Sequence, residues 1–383
     1  MAVVALSVFA LAVASTAGSG AAPLGVRVLP QPGGQHPVGE TVLHLVDDSR
    51  SDPFEPDRQR ELMVSVFYPA AAIDESPRAH YLSTALIPDL EKRFGVELPG
   101  LFGNSYADAP VRAGATYPVV LYSPGAGVTR LLGTGLAEEL ASRGYIVVTV
   151  DHTYETLVEF PGGRLVQSAP APNGFDTAIR KKYIEARLLD IRFVLDSLTR
   201  LADGENPDAD QRALPAGLDV AIDLDHIGMV GHSSGGYTAV ESMHEDRRID
   251  AAIDLDGQLG VDEDFGRSVI DGVDRPVLVM TSGQVEEVGD ANPSLDAFWQ
   301  SGTGWKQQLI MSDSAHYDYT DFPLLVPGLV RPAAATYIGP IAADRGSSLV
   351  RKYVVAMFDK FLRDRTDTAL DQPLSDPEIT RGR

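Results

Sequence analysis

With 383 residues and 44% hydrophobic content, the chain is long enough to bury a sizeable core. A formal net charge of -22 excludes the basic footprint that a phosphate backbone requires, and it excludes electrostatic docking on anionic lipid. The absence of cysteine excludes disulfides, thiolate nucleophiles and cysteine-ligated metals.

Met1 to Ala14 is almost entirely apolar or small, and a small-residue stretch from Ser15 to Pro23 follows. The run is short for a bilayer span and fits the apolar region and cleavage zone of a secretory signal, although no basic residue precedes it. Residues 1–22 are therefore expected to be a leader, with export of the protein and no stable membrane insertion. No linker divides residues 23–383, which are expected to form a single domain.

Two β-forming runs open that domain, Thr41–Val46 and Leu62–Tyr68, the second stopped by Pro69. Residues 70–115 lack clear periodicity and read as a long, partly helical insertion. A strand at Tyr117–Tyr122, a helix over Leu131–Arg143 stopped by Gly144, and a strand at Tyr145–Val150 make a βαβ unit with parallel strands. The Pro/Gly-rich stretch 155–174 precedes a long helix, Phe175–Leu201. Its apolar stripe carries Ile184, Leu188, Ile191, Leu195 and Leu198. A polar loop, 202–217, leads to a strand at His226–Val230 and a helix starting near Gly235. Further strands are predicted at Ile249–Leu255, Pro276–Thr281 and Lys306–Met311. A closing helix over Ser347–Arg363 turns Val350, Val354, Met357, Phe358 and Phe361 inward. The alternation predicts an α/β fold, a mostly parallel doubly wound sheet with helices on both faces. Ligands then belong at the C-terminal ends of its strands.

Gly231-His232-Ser233-Ser234-Gly235 holds G-x-S-x-G directly between a strand and a helix. That placement is the nucleophile elbow of an α/β-hydrolase, a sharp turn that lifts the serine hydroxyl above the sheet. Only Ser233 fits the frame, because Ser234 has His232 two residues before it. A hydroxyl needs a base, and in this fold class the base follows the nucleophile and the acid in the chain. His244 and His316 are the histidines after Ser233. His244 falls near the end of the elbow helix and suits a surface or cap role. His316 follows the last predicted strand and is the expected base. His152 and His232 also lie near strand ends but on the wrong side of this order, and His232 is expected to pack beside the elbow. For the acid, Asp254 and Asp256 flank Leu255 at one strand end, and Glu286 and Glu287 follow the next strand; position alone leaves these open. The oxyanion donors are expected to be the backbone N–H groups of Ser234 and of Ala126, the latter in the small-residue loop Ser123-Pro124-Gly125-Ala126-Gly127.

From about Pro37 to Asp364 the chain resembles the plasma-type (isoform II) platelet-activating factor acetylhydrolase family and its bacterial lipase-like members. The resemblance is carried by Glu61-Leu62-Met63-Val64 leading to Tyr68-Pro69, by Ser123 to Gly127, and by Asp151-His152-Thr153-Tyr154-Glu155. It is also carried by Gly231 to Gly236, Leu255-Asp256-Gly257, and His316 with Asp321-Phe322 downstream. It implies a calcium-independent esterase, without a cofactor, acting on phospholipids with short or oxidised acyl chains or on small esters. It also implies that the acid is Asp256 rather than Glu286. Ser234 and Pro124 depart from the bulky residue and the histidine that the family often carries there, which bears on the shape of the acyl pocket.

Two other functions compete. Phe322 to Ile341 is rich in Leu, Val, Pro and Ala and would serve as an interfacial lip in a lipase or polyester hydrolase. A catalytically dead binding protein on the same fold is the other class, and an intact nucleophile, base and acid argue against it. No metal site is expected: Asp219, Asp223 and Asp225 lack the glycine and terminal glutamate of an EF-hand loop.

Overall fold

The protein is described from a computed structural model covering residues 29–383 apart from 72, 84, 89–101, 171–175, 285–291 and 326–336. The expected leader, Glu286, Glu287 and the middle of the Phe322–Ile341 segment lie outside the described residues.

Eleven of the described strands hydrogen-bond into one sheet. In chain order its first strands are β1 (Val38–Ser51), β2 (Gln59–Pro69), β3 (Arg78–His80), β4 (Phe102–Ala107), β5 (Tyr117–Ser123) and β6 (Ile146–Asp151). A side hairpin of β7 (Val158–Phe160) and β8 (Arg164–Val166) follows. The sheet resumes with β9 (Ile222–His232) and β10 (Ile249–Leu255), and a second small hairpin is made by β11 (Gly260–Val261) and β12 (Asp264–Phe265). Strands β13 (Val277–Ser282), β14 (Lys306–Met311) and β15 (Ile379–Arg381) complete it. The spatial order is β15-β14-β13-β10-β9-β5-β6-β2-β1-β4-β3. From β14 to β6 every pairing is parallel. Antiparallel partners close both sides, β15 on β14 and β2 on β6.

Strands β5, β6 and β13 are buried on both faces, which is why they read as mostly apolar runs rather than alternating ones. Their side chains still alternate between two cores. Val119 and Leu121 of β5 face one core, while Val120 and Tyr122 face the other. Helices α2 (Thr177–Ala202), α3 (Ser234–Glu245) and α4 (Pro293–Gln300) cover the first core. Helices α1 (Thr134–Ser142) and α5 (Ala343–Leu362) cover the second. The sheet is thus doubly wound, as the alternation of elements predicts.

Residues 70–115 differ from expectation. They contribute β3 and β4, which extend the sheet beyond β1 through the parallel pairs Gly39–Tyr106 and Glu40–Ala107. Strand β4 reads Phe-Gly-Asn-Ser-Tyr-Ala and carries no apolar alternation. It is held by its polar side chains instead: the Asn104 and Ser105 N–H groups donate to the buried carboxylate of Glu138 on α1.

Candidate active site

Strand β9 ends at His232, and α3 begins at Ser234 with no residue to spare. Ser233 is forced into φ 57°, ψ -123°, a conformation that L-residues rarely adopt. Two glycines make the turn possible. A Cβ on Gly235 would sit 1.9 Å from Ser123 O, and one on Gly231 would sit 2.1 Å from the Gly235 carbonyl. The Ser233 N–H donates to Leu255 O at 2.8 Å, so the elbow is fastened to the end of β10, one residue before Asp256.

Asp256 also has a positive φ, 57°, and its carboxylate is nearly sealed from solvent. Oδ1 accepts the Ser282 N–H at 2.6 Å, and Oδ2 accepts from His316 Nδ1 at 2.7 Å. Burial alone would raise the Asp256 pKa. The hydrogen bond and charge of His316, with the Ser282 N–H, outweigh it and hold the carboxyl below its ordinary range. An ionised carboxylate only accepts, so His316 carries its hydrogen on Nδ1 and leaves Nε2 for a hydroxyl. His316 is half-buried and follows β14 across a four-residue connection, Ser312 to Ala315. Its ring packs 4.5 Å from that of His232, whose Nε2–H donates to the His316 carbonyl at 2.8 Å. Burial and the neighbouring His316 push His232 down to about 3, so it stays neutral and acts as a clip between the elbow and the base loop. The structure therefore places Ser233, Asp256 and His316 beyond the C-terminal ends of β9, β10 and β14. A hydrogen bond between Ser233 Oγ and His316 is not among those it forms.

Asp254, the other aspartate at this strand end, has both carboxyl oxygens buried without a well-formed partner, Oδ1 lying against Gly236 and Gly257. Burial and the adjacent Asp256 raise it well above its ordinary value, against a small opposing pull from the Gly257 N–H. His316 gives its Nδ1–H to Asp256 and not to Asp254. His244 lies in the last turn of α3, 3.4 Å from Asp271 and away from the elbow. Asp223 and Asp225 sit in the first residues of β9, with Asp223 on His226 at 2.9 Å. Among the described residues no cluster of histidine and acidic side chains is arranged to hold a metal, and no helix is long and apolar enough to cross a membrane.

A second serine–histidine–aspartate chain exists, and burial separates it from the first. Ser123 Oγ lies 2.9 Å from His152 Nε2, and His152 Nδ1 lies 2.9 Å from Asp190 Oδ2. All three side chains are at most 1% exposed, so no ester reaches them. Asp190 is further clamped by Arg60 at 2.6 Å and Arg50 at 2.5 Å, and its pKa falls below the usual carboxylate range despite burial. Ser233, by contrast, is half-buried at the mouth of the elbow.

Ala126 and Ser234 are the residues expected to supply the oxyanion donors. Both are half-buried. Ser234 opens α3, where the helix offers its N–H no internal acceptor. Ala126 is the second residue of a turn closed by Val128 N–H to Gly125 O at 3.1 Å, with Gly127 at φ 69° in the left-handed position. The residue that sequence reasoning missed here is Arg187. A signal was present: it lies three residues after Ile184 and four before Ile191, inside the apolar stripe of α2, where a charge demands a buried partner.

A mostly parallel doubly wound sheet with a serine on a positive-φ turn, and a histidine–carboxylate pair packed against that turn, is the frame of an α/β-hydrolase. A solved structure, "Ferulic acid esterase from Streptomyces cinnamoneus", superposes with a TM-score of 0.78 at 35% identity, over 93% of this chain and 99% of that one. Among curated relatives, "Probable 1-alkyl-2-acetylglycerophosphocholine esterase" of Arthroderma benhamiae is 27% identical, spanning 92% of this chain and 93% of its own. "Platelet-activating factor acetylhydrolase" of Bos taurus is 23% identical over 89% of this chain and 79% of its own. The chain is a carboxylic ester hydrolase. The model of the family "Platelet-activating factor acetylhydrolase, isoform II" matches residues 25–376, and the chain belongs to that family.

Proposed function

We propose that the protein is a serine esterase working through an acyl-enzyme, with Ser233 as nucleophile, His316 as base, Asp256 as acid, and the Ala126 and Ser234 N–H groups as oxyanion donors. The observation that carries the reading is the 2.7 Å bond from His316 Nδ1 to a buried, ionised Asp256 beside the serine elbow. That bond fixes the tautomer in which Nε2 accepts a proton. As Ser233 Oγ attacks the ester carbonyl, its proton passes to Nε2, and the carbonyl oxygen becomes an oxyanion facing the two N–H donors. Nε2–H then protonates the leaving alcohol, and a water repeats the sequence on the acyl-enzyme to release the acid. The Ser233–His316 hydrogen bond forms as substrate enters, since catalytic hydrogen bonds often align only in the complex.

For substrate, we favour esters of short or oxidised acyl chains, on phospholipids or small alcohols. The family membership and the names of the fungal and mammalian relatives support this. A second reading, esters of an aromatic acid such as ferulate, is supported by the 35% identity to an esterase of that name over nearly its whole length. The test is kcat/KM across acetyl, butyryl, long-chain and feruloyl esters. The first reading expects the acetyl and butyryl esters to lead. A feruloyl preference selects the second. A long-chain preference with a rate jump at the lipid interface overturns both and makes the Phe322–Ile341 segment an interfacial lip.

A further inference from the structure

Beneath the Ser123–Gly127 loop lies a cation that the reaction described above does not use. Arg187, on α2, is 1% exposed. Its Nη1 donates to Pro124 O at 2.6 Å and to Ser123 Oγ at 3.2 Å. Its Nη2 donates to Gly125 O at 3.1 Å and to Glu155 Oε2 at 2.6 Å, and its Nε donates to Glu155 Oε1 at 2.8 Å. Two successive loop carbonyls are therefore turned toward one buried guanidinium. Glu155 neutralises it, and Glu155 reaches that place from a strained turn in which Tyr154 has φ 71°.

The consequence follows from peptide geometry. The Gly125–Ala126 peptide is trans, so its C=O and N–H point in opposite directions. Gly125 O is held on one side by Arg187 and by the Val128 N–H. The Ala126 N–H is therefore aimed to the other side, away from the guanidinium. Gly125 Cα itself abuts the elbow: a Cβ there would lie 3.0 Å from His232 Nδ1 and 3.3 Å from Ser233 Cβ. We infer that Arg187 is the positioning residue of the oxyanion site, clamping the Pro124 and Gly125 carbonyls so that the Ala126 N–H meets the acyl oxygen of an ester on Ser233. This rests on the Ser233 reading. A buried ion pair is poor value as a stabiliser, since apolar residues of similar volume often do as well. A planar fork of five donors that reaches two carbonyls, a hydroxyl and a carboxylate at once is a task for arginine that lysine cannot copy.

The test measures kcat, KM and thermal midpoint for Arg187→Lys and for the charge-neutral pair Arg187→Met with Glu155→Gln, per active site titrated. The same variants are titrated with a trifluoromethyl ketone, which forms a tetrahedral oxyanion on the serine. Loss of one oxyanion donor costs on the order of 10²–10³ in kcat. The expected result is a fall of about 10² in kcat, little change in KM, and an equal loss of ketone affinity. A merely structural role would lower the midpoint without moving ketone affinity per titrated site. Because a buried arginine variant can fail to fold, the wild-type protein supplies a second measurement. Glycine carbonyl and alanine nitrogen isotope labels select Gly–Ala pairs, and the Ala126 amide proton should shift downfield when the ketone binds. Folded variants with wild-type kcat and ketone affinity, or an unmoved Ala126 signal, would overturn the inference. Ser233→Ala run alongside separates the two levels: retained activity there overturns the underlying reading, whereas an inactive Ser233→Ala with active Arg187 variants overturns the positioning role alone.

Discussion

Replacing Asp256 by asparagine should silence the enzyme without unfolding it, and the geometry says why. The carboxylate has two acceptors in use, Oδ1 on the Ser282 N–H at 2.6 Å and Oδ2 on His316 Nδ1 at 2.7 Å. An asparagine has one acceptor oxygen. The Ser282 backbone donor cannot rotate away, so the amide oxygen stays there and the NH₂ group faces His316. The imidazole must then accept at Nδ1 and keep its hydrogen on Nε2, the wrong tautomer for taking a proton from Ser233. In other Ser-His-Asp enzymes this substitution costs on the order of 10⁴ in kcat, about 5.5 kcal/mol of transition-state stabilisation. The fold should survive, because the change is isosteric and keeps the Ser282 bond. The assay is kcat on an acetyl ester, with circular dichroism and the thermal midpoint as controls for folding. Glu286→Gln and Glu287→Gln, assayed in parallel, should stay near wild type. A folded Asp256→Asn variant within about tenfold of wild type, or a collapse in either glutamine variant, would refute the assignment of the acid.

Two further outcomes follow from packing and burial. Gly235→Ala drives a Cβ to within 1.9 Å of Ser123 O, so it should lower stability by about 1–3 kcal/mol and displace the elbow; urea unfolding and ester turnover measure both, and an unchanged midpoint with full activity would contradict the turn geometry. Asp321 is buried beside Tyr81 and the Gly135 N–H, and burial pushes it up to about 7 despite Arg351 nearby. A raised carboxyl stabilises the fold below its unfolded pKa, near 4, and that contribution is lost as pH rises through the folded value, about 7. Asp321→Asn should therefore gain thermal stability relative to wild type between pH 4 and 7, and a difference that stays flat across that range would remove the argument.

Much of this molecule was legible because the parallel sheet writes itself plainly. Ile249–Leu255 and Lys306–Met311 have the same bounds in sequence and structure, each carrying a core of apolar residues, Ala251–Ile253 and Leu309–Met311, inside the parallel block. Strands β3 and β4 were not legible, because Phe102–Ala107 owes its place to Glu138 and to pairing with β1, neither of which is local. At the site, Ser233 is marked by the glycines its turn demands. Asp256 and Asp254 look equivalent in sequence and are separated only by what surrounds them: one carboxyl receives an imidazole and an N–H, and the other is packed against two glycine backbones. The buried Ser123–His152–Asp190 chain carries the opposite lesson, since the residue types of a triad occur twice and solvent access decides between them.

If Ser233 Oγ carries the acyl group of the intermediate, covalent labelling should find it there. A fluorophosphonate should modify one serine, located by peptide mass spectrometry at Ser233. In Ser233→Ala both the adduct and ester hydrolysis should vanish, with the thermal midpoint retained. An adduct on Ser123 or Ser234, or a Ser233→Ala variant that still hydrolyses esters, would contradict the account.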